Sequence, residues 1–393
     1  MPGEPGIKPT RVPIGFPAYK LETASHSQRP VKLRNTLHSM SLTAQIRPRK
    51  LAYQQGAIRR FATTRYLRTD ATSVAASFLS RFQSLGPQIR TQTIDANQLQ
   101  LLSLTLDRPT LFPGTPSLSN GSPPQPATPV PPGYHLAYFT PAFMESELGA
   151  DGTDASYNPA TPFTRRMWAG GEVLWPRGAD GKPNLLRVGQ NVQETTRVLS
   201  AEAKVVKKTG EDMIVVGVEK EFANDHGVSI VDRRNWVFRK ALPIPSASAP
   251  SAALPQSASH LATPNPASAD ISTEGNTHTR TLVQTPVTLF RFSALTFNPH
   301  KIHYSLPWAR DVEGHRDVVV HGPLNLISIL DLWRDVKSQH ATDHSVVVPR
   351  RISYRATSPL YAGDEYRIVL DEGAETKVQI IGPEGVAMKA EID

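Results

Sequence analysis

Two histidines three residues apart in Asn298-Pro299-His300-Lys301-Ile302-His303, and a third in His321-Gly322-Pro323, are the residues of this chain best suited to chemistry. A free imidazole has a pKa of ~6.5, so it gives or takes a proton near neutral pH. His303 is the first candidate for proton transfer, and His300 for sharing that work or replacing a carboxylate. Asn298 does not titrate, but it can bind a hydroxyl or orient an imidazole. Gly322 opens a predicted helix, where unpaired backbone N–H groups and the positive end of the dipole favour developing negative charge. It has no side chain to hold a ligand away. His321 is placed to orient that turn or to touch a ligand. Arg291 is a candidate contact for a phosphate or carboxylate, or else a solvated strand end. An acid, a base and an amide that stabilises an oxyanion are the requirements for moving a proton next to an activated carbonyl. The same His pair beside a proline is also what an ordinary polar loop contains. His300, His303, His315 and His321 cluster along the chain, but no carboxylate stands at a recognised ligand spacing among them, so no metal is expected. The chain has no Cys, which removes disulfides, zinc–thiolate sites, iron–sulfur ligation and cysteine nucleophiles.

One segment reads clearly as the element that positions these groups. After His321-Gly322-Pro323 come Leu324, Leu326, Ile327, Ile329, Leu330, Leu332, Trp333 and Val336, apolar on nearly every face until Arg334. This pattern predicts a buried helix over 322–339, with Pro323 in the first turn where its missing N–H is no loss. Strand-like runs follow at Tyr366–Leu370, Thr376–Ile381 and Gly385–Ala390, separated by Asp371-Glu372-Gly373 and Gly382-Pro383-Glu384-Gly385. The first half carries a similar series at Thr195–Lys207, Met213–Glu221 and Val228–Arg239, with turns at Thr209-Gly210-Glu211-Asp212 and Asn224-Asp225-His226-Gly227. Two distant copies of one unit are therefore expected, each an antiparallel meander with a helix. The first copy's helix is expected within Ser73–Leu85 or Gln98–Leu106. Trp168, Trp175 and Trp236 read as core aromatics of that copy.

At 393 residues the chain has room for two or three domains. No apolar run is long enough for a membrane span. The net charge of +8 belongs to the leader: residues 1–69 hold 13 basic and 2 acidic residues, and the remainder 30 basic and 33 acidic. Because the body lacks clustered positive charge, nucleic acid is not an expected partner. From Thr23 to Thr69 there is no acidic residue, and Arg47, Arg49, Lys50, Arg59, Arg60, Arg65 and Arg68 lie among Ser and Thr. That is the composition of a mitochondrial transit peptide, which places the body in the matrix. A disordered basic tail is the alternative, and Met40 is an alternative start. Pro109–Pro132 and 243–280 are low in complexity and are expected to be mobile. They leave an N-terminal half at 70–242 and a C-terminal half at 281–393.

Three segments carry a resemblance. Phe292-Ser293-Ala294-Leu295-Thr296-Phe297-Asn298-Pro299-His300-Lys301-Ile302-His303 is similar to the L-S-G-D-x-N-P-I-H run of the MaoC-like hydratases. Aligned without gaps, the family's catalytic Asp falls on Asn298, its Asn on His300 and its catalytic His on His303. Val318-Val319-Val320-His321-Gly322-Pro323 resembles the run that opens the family's central helix, and Arg355–Asp364 resembles its G-D turn. The chain most resembles the mitochondrial type 2 hydroxyacyl-thioester dehydratases, over about 70–393 without the Pro-rich insertions. The resemblance implies an α+β double hot dog, an antiparallel sheet wrapped around central helices, with catalysis in the C-terminal half. It further implies a (3R)-3-hydroxyacyl-thioester dehydratase of fatty-acid synthesis acting on acyl carrier protein or CoA thioesters, with no redox cofactor or metal, and leaves room for a homodimer. The pantetheine arm is expected in a tunnel between the halves. Two other readings stay open. One is a hydratase of short dicarboxyl-CoA thioesters such as itaconyl- or mesaconyl-CoA, with Arg291, Arg350 and Arg351 as available cations. The other is a non-catalytic hot-dog module that binds acyl thioesters.

Overall fold

The computed structural model describes residues 70–118, 121–207, 209–242, 270–339 and 346–393. The leader at 1–69 and most of the expected linker, 243–269, lie outside the described residues.

The first half runs α1 (Ala71–Leu85), β1 (Gln88–Thr93), α2 (Ala96–Thr105), β2 (Arg165–Leu174), β3 (Asn191–Val205), β4 (Asp212–Asn224) and β5 (Gly227–Arg239). The second runs β6 (Ser272–Glu274), β7 (Thr277–Val283), α3 (Pro286–Leu295), α4 (Gly322–Gln339), β8 (Arg351–Ala356), β9 (Glu365–Glu372), β10 (Thr376–Gly382) and β11 (Gly385–Ile392). Among the described residues eleven strands form one sheet, in the order β1-β3-β4-β5-β2-β8-β11-β10-β9-β7-β6. Reading outward from the centre, β2-β5-β4-β3-β1 on one side mirrors β8-β11-β10-β9-β7 on the other. Each half is the same antiparallel unit, and α2 and α3 each follow the unit's outermost matched strand. This is the double hot dog expected from the resemblance.

The halves join where β2 pairs with β8, with Gly170 opposite Arg355 and Gly171 opposite Tyr354. A Cβ on Gly170 would stand 2.5 Å from the Tyr354 carbonyl oxygen, and one on Gly171 would stand 2.0 Å from that of Arg233. Both positions therefore need glycine, because the backbones approach too closely for any side chain.

The helix α4 is enclosed as its composition predicts. Leu324, Leu326, Ile327, Ile329, Leu330 and Leu332 are buried in one cluster with Tyr366, Ile368, Leu370, Val378 and Ile380 of the surrounding strands. Burial of each such side chain contributes about 1.5–3 kcal/mol, which offsets the entropy of ordering the helix. Arg334, where the apolar pattern stops, is also buried, with its Nη2 2.7 Å from Asp331 Oδ1 and its guanidinium over the Tyr134 and Phe112 rings.

Three expectations need correction. Both predicted helices of the first half exist, but neither is the counterpart of α4. The helix α2 matches α3, and α1 packs Val74, Phe78 and Phe82 onto Ile214, Val216, Val218 and Phe238 at one end of the sheet. Among the described residues between α2 and β2 there are only short 3-10 turns at Tyr134–Ala137 and Glu145–Glu147. Part of that half-sheet's inner face is therefore left without a helix. The described residues of Pro109–Pro132 are packed into the fold, where a mobile segment was expected. Leu111, Leu118 and Val130 join the main core, and the amides of Ala127 and Val130 donate to the carbonyls of Val188 and Leu186 at 2.9 Å each. Three apolar anchors and these backbone bonds supply what composition alone hides. The last residues of the expected linker, from Ser272, form the β6–β7 hairpin instead.

Candidate active site

The helix α3 ends at Leu295, and Phe297 turns the chain with a φ of +46°. Asn298 then donates its backbone N–H to the Ser293 carbonyl, while its side-chain oxygen accepts from the His300 N–H at 3.3 Å. A 3-10 turn at Lys301–His303 follows, and the Ile302 carbonyl accepts from the Val319 N–H. This contact lays the loop along 318–320, directly before α4. His303 Nδ1 donates to the Val319 carbonyl at 2.7 Å, which fixes the proton on Nδ1 and leaves Nε2 as a lone-pair acceptor.

The expected cluster is real in space. The rings of His303 and His321 stack with centroids 3.6 Å apart, and His300 stands edge-on to His303 at 5.3 Å. His321 Nε2 shares a 2.9 Å hydrogen bond with the Ser293 hydroxyl. Burial first, with His300 next, pushes His303 down to about 3. Burial, with His303 and His300 adding to it, pushes His321 well below its ordinary value. Both rings are neutral at physiological pH. His315 diverges, with Nδ1 3.4 Å from the Tyr361 hydroxyl. Among the described residues, no group of three or more His, Asp or Glu is disposed to hold a metal ion.

Sequence reading missed the carboxylate. Where the aligned pattern puts Asn298, the acid arrives from elsewhere: a π-helical turn at Trp308–Val312 swings Glu313 back until its Oε1 lies 3.7 Å from His300 Nε2. Asp151 Oδ2 approaches the same nitrogen at 4.0 Å. His300 Nε2 is buried with no hydrogen bond, so these are distances for an ion pair or for an intervening water. Burial opposes the charge on Glu313, but His300, the Trp308 indole N–H at 3.1 Å and Arg165 at 3.9 Å hold its carboxyl below the usual range. No spacing rule would have found Glu313, because its approach depends on a turn without regular periodicity. Asp151 belongs to a loop of the first half that closes over the histidine loop. Its carbonyl accepts from the Lys301 N–H at 2.8 Å, and Lys301 Nζ reaches the Ala150 carbonyl at 2.7 Å.

Gly322 is the first residue of α4, so its N–H has no acceptor within the helix. The reason for a glycine differs from the one expected. A Cβ there would stand 2.3 Å from Cε3 of Trp168, whose ring stacks on Tyr354 at 4.6 Å. Trp168 from the first half fills the space on the side-chain side of Gly322. Trp175 and Trp236 are buried in the apolar clusters, as expected of core aromatics. Arg291 lies on the exposed face of α3 and does not line the cavity below. Arg351 pairs with Glu172 at 2.8 Å, and neither Arg350 nor Arg351 lines the cavity below.

A cavity of about 1070 Å³ opens beside these groups, lined by both halves. Ser293, Asn298 and Pro323 form its wall at the start of α4, and His300, His303 and His321 stand behind that wall. The arrangement offers a lone-pair base at His303, a carboxylate-supported imidazole at His300 and a free amide at a helix start.

The sequence profile of the family described as hydroxyacyl-thioester dehydratase type 2 matches residues 133–362. The chain is 29% identical over 273 residues to a mesaconyl-C(4)-CoA hydratase of Chloroflexus aurantiacus, covering 68% of this chain and 84% of that protein. It is 26% identical over 263 residues to the mitochondrial hydroxyacyl-thioester dehydratase type 2 of Schizosaccharomyces pombe, covering 62% and 79%. In fold it is similar to a crystal structure of a MaoC-like dehydratase from Phytophthora capsici, with a TM-score of 0.50, 13% identity, and coverage of 78% of this chain and 94% of that one. The chain belongs to the hydroxyacyl-thioester dehydratase type 2 family and is an enzyme of the hydro-lyase class.

Proposed function

We propose that the protein is a (3R)-3-hydroxyacyl-thioester dehydratase of mitochondrial fatty-acid synthesis, taking its substrate from acyl carrier protein or CoA. The observation that carries this is the packing of His300, His303 and His321 together at the start of α4, beside a cavity shared by both halves. The name of the fission-yeast relative supports the mitochondrial setting, as does the basic leader, free of acidic residues from Thr23 to Thr69.

In this reading the pantetheine arm enters the cavity and the thioester oxygen faces the N–H of Gly322. That amide and the dipole of α4 stabilise the enolate-like charge; removal of one such donor commonly lowers a rate ~10²–10³-fold. His303 Nε2 takes the α-proton. His300, beside Glu313, gives a proton to the leaving hydroxyl, and Asn298 in the cavity wall holds that hydroxyl. Hydration runs the same steps in reverse. Reaching the imidazoles takes a shift of the Asn298 wall or of the loop 149–153 above it.

The test is hydration of crotonyl-CoA by the protein and by His303→Ala. The variant should lose activity by ~10²–10⁴-fold, the usual contribution of a general base. Equal rates would remove His303 from the mechanism. Thioester binding without turnover in the unaltered protein would identify a binding module instead.

A second reading, hydration of a short dicarboxyl-CoA thioester, is favoured by the charged wall of the cavity, where Arg90, Arg166, Lys220 and Arg234 face inward. The Chloroflexus relative is named for such a substrate.

A further inference from the structure

In the second half, the inner face of the sheet is apolar because α4 fills it. The corresponding face of the first half has no such helix along part of its length, and there it is charged. Glu194 and Thr196 of β3, Lys220 of β4 and Arg234 of β5 all line the cavity, together with Arg90 of β1 and Arg166 of β2. Charges at inward sheet positions are expensive unless paired.

The pairing is incomplete by one. Arg166 Nη2 lies 2.6 Å from Asp154, and Arg234 Nη2 lies 2.6 Å from Asp232. Glu194, however, serves two cations at once: Lys220 Nζ at 3.1 Å and Arg90 Nη2 at 2.9 Å. The four sheet cations Arg90, Arg166, Lys220 and Arg234 thus share three carboxylates, Asp154, Glu194 and Asp232. The excess positive charge sits at Lys220 and Arg90. Lys220 is 9% exposed, and burial lowers its ammonium to about 8 although Glu194 opposes the shift. An arriving anion would restore the missing partner. The Lys220 ammonium, which donates to the Thr196 hydroxyl at 3.2 Å and faces Glu194 at 3.1 Å, has a third N–H to supply as the donor. The same cavity runs on to Ser293, Asn298 and Pro323 at the start of α4.

We propose that Lys220 and Arg90, held by Glu194, form a binding site for an anionic group of the thioester ligand. That group is either a carboxylate at the far end of the acyl chain or a phosphate of the carrier. The inference rests on reading the cavity as the thioester site. The Lys220–Arg90 wall selects a ligand with negative charge at a set distance from the reacting carbon, and it disfavours an uncharged hydrocarbon tail there.

The experiment measures dissociation constants by titration calorimetry, which needs no turnover, for four thioesters. These are crotonyl and fumaryl groups, each on CoA and on N-acetylcysteamine, so that a methyl replaces a carboxylate and a phosphate-free carrier replaces CoA. The variants are Arg90→Gln, whose side chain is 41% exposed, and Glu194→Gln, which adds to the positive excess. Arg90→Gln should weaken the anionic ligands about tenfold, and Glu194→Gln should tighten them. Neither should change crotonyl-N-acetylcysteamine. Effects that follow the fumaryl group on both carriers assign the site to the acyl carboxylate. Effects that follow CoA with both acyl groups assign it to the carrier phosphate. Equal effects on all four thioesters, or none, overturn the proposal, as does failure of the unaltered protein to bind any of them. Anion-selective binding without hydration by the unaltered protein would overturn the dehydratase reading while leaving this site standing.

Discussion

The His303 and His321 rings lie nearly parallel, 18° apart in plane and 3.6 Å between centroids, in a site where neither carries a charge. Stacking at this distance opposes charge on both rings at once, because two imidazolium ions would repel in a dry interior. The pair joins the two motifs, since one ring comes from the loop after α3 and the other from the residue before α4.

This neutrality makes stability depend on pH. The unfolded chain protonates both histidines below about pH 6.5, whereas the folded His303 stays neutral down to about 3. The unfolded state therefore binds more protons in that window, and stability falls as pH drops. The loss is ~1.4 kcal/mol per pH unit for each ring. Urea midpoints measured from pH 7 to pH 5 should fall steadily, and His321→Gln should flatten that slope by about half. Parallel slopes would show that His321 does not stay neutral in the fold.

Glu313 should act through His300. Glu313→Gln is expected to lower kcat about tenfold, ~1.4 kcal/mol, with KM little changed. Glu313→Asp should recover part of the loss. The effect should vanish in a His300→Gln background, because the carboxylate then has nothing to support. A full effect in that background would place Glu313 in direct contact with substrate.

Gly322→Ala tests the close fit at the helix start. The new methyl would stand 2.3 Å from Trp168 Cε3. A large ring stacked on Tyr354 yields poorly, and overpacking of this kind costs about 1–3 kcal/mol. Thermal unfolding should show a clear drop in Tm together with loss of activity. An unchanged Tm would mean that Trp168 moves freely.

Leu330→Ala tests the enclosed helix. Leu330 is 1% exposed, and its Cδ1 stands 2.8 Å from where a Cβ on Gly133 would be. The expected loss is about 2–5 kcal/mol, read from denaturant midpoints. A loss below ~1 kcal/mol would show that the turn at Gly133 collapses into the space.

Much of this architecture is legible in local pattern. The span Gly322–Gln339, all three strands of the first-half meander and all three of the second appear where alternation and Gly-Asp turns put them, with ends shifted by a few residues. β1, β2, β7 and β8 were not legible. They are short or interrupted by glycine, and they take their place through pairing with distant strands. The packing of Pro109–Pro132 was hidden because composition does not reveal three well-placed apolar anchors.

The amino-acid sequence alone determined that an enclosed helix opens at Gly322-Pro323, that antiparallel repeats surround it, and that His300, His303 and His321 are the candidates for proton transfer. Such features depend on neighbours within a turn or a hairpin, and local periodicity records them. Only the tertiary structure decided that Glu313 and Asp151 approach His300, that Trp168 fills the space at Gly322, and that charges line the uncovered face of the first half. Those relations come from contacts between separate elements, two of them from opposite halves of the chain. The energy of such contacts depends on three-dimensional proximity, and one-dimensional spacing carries no trace of it.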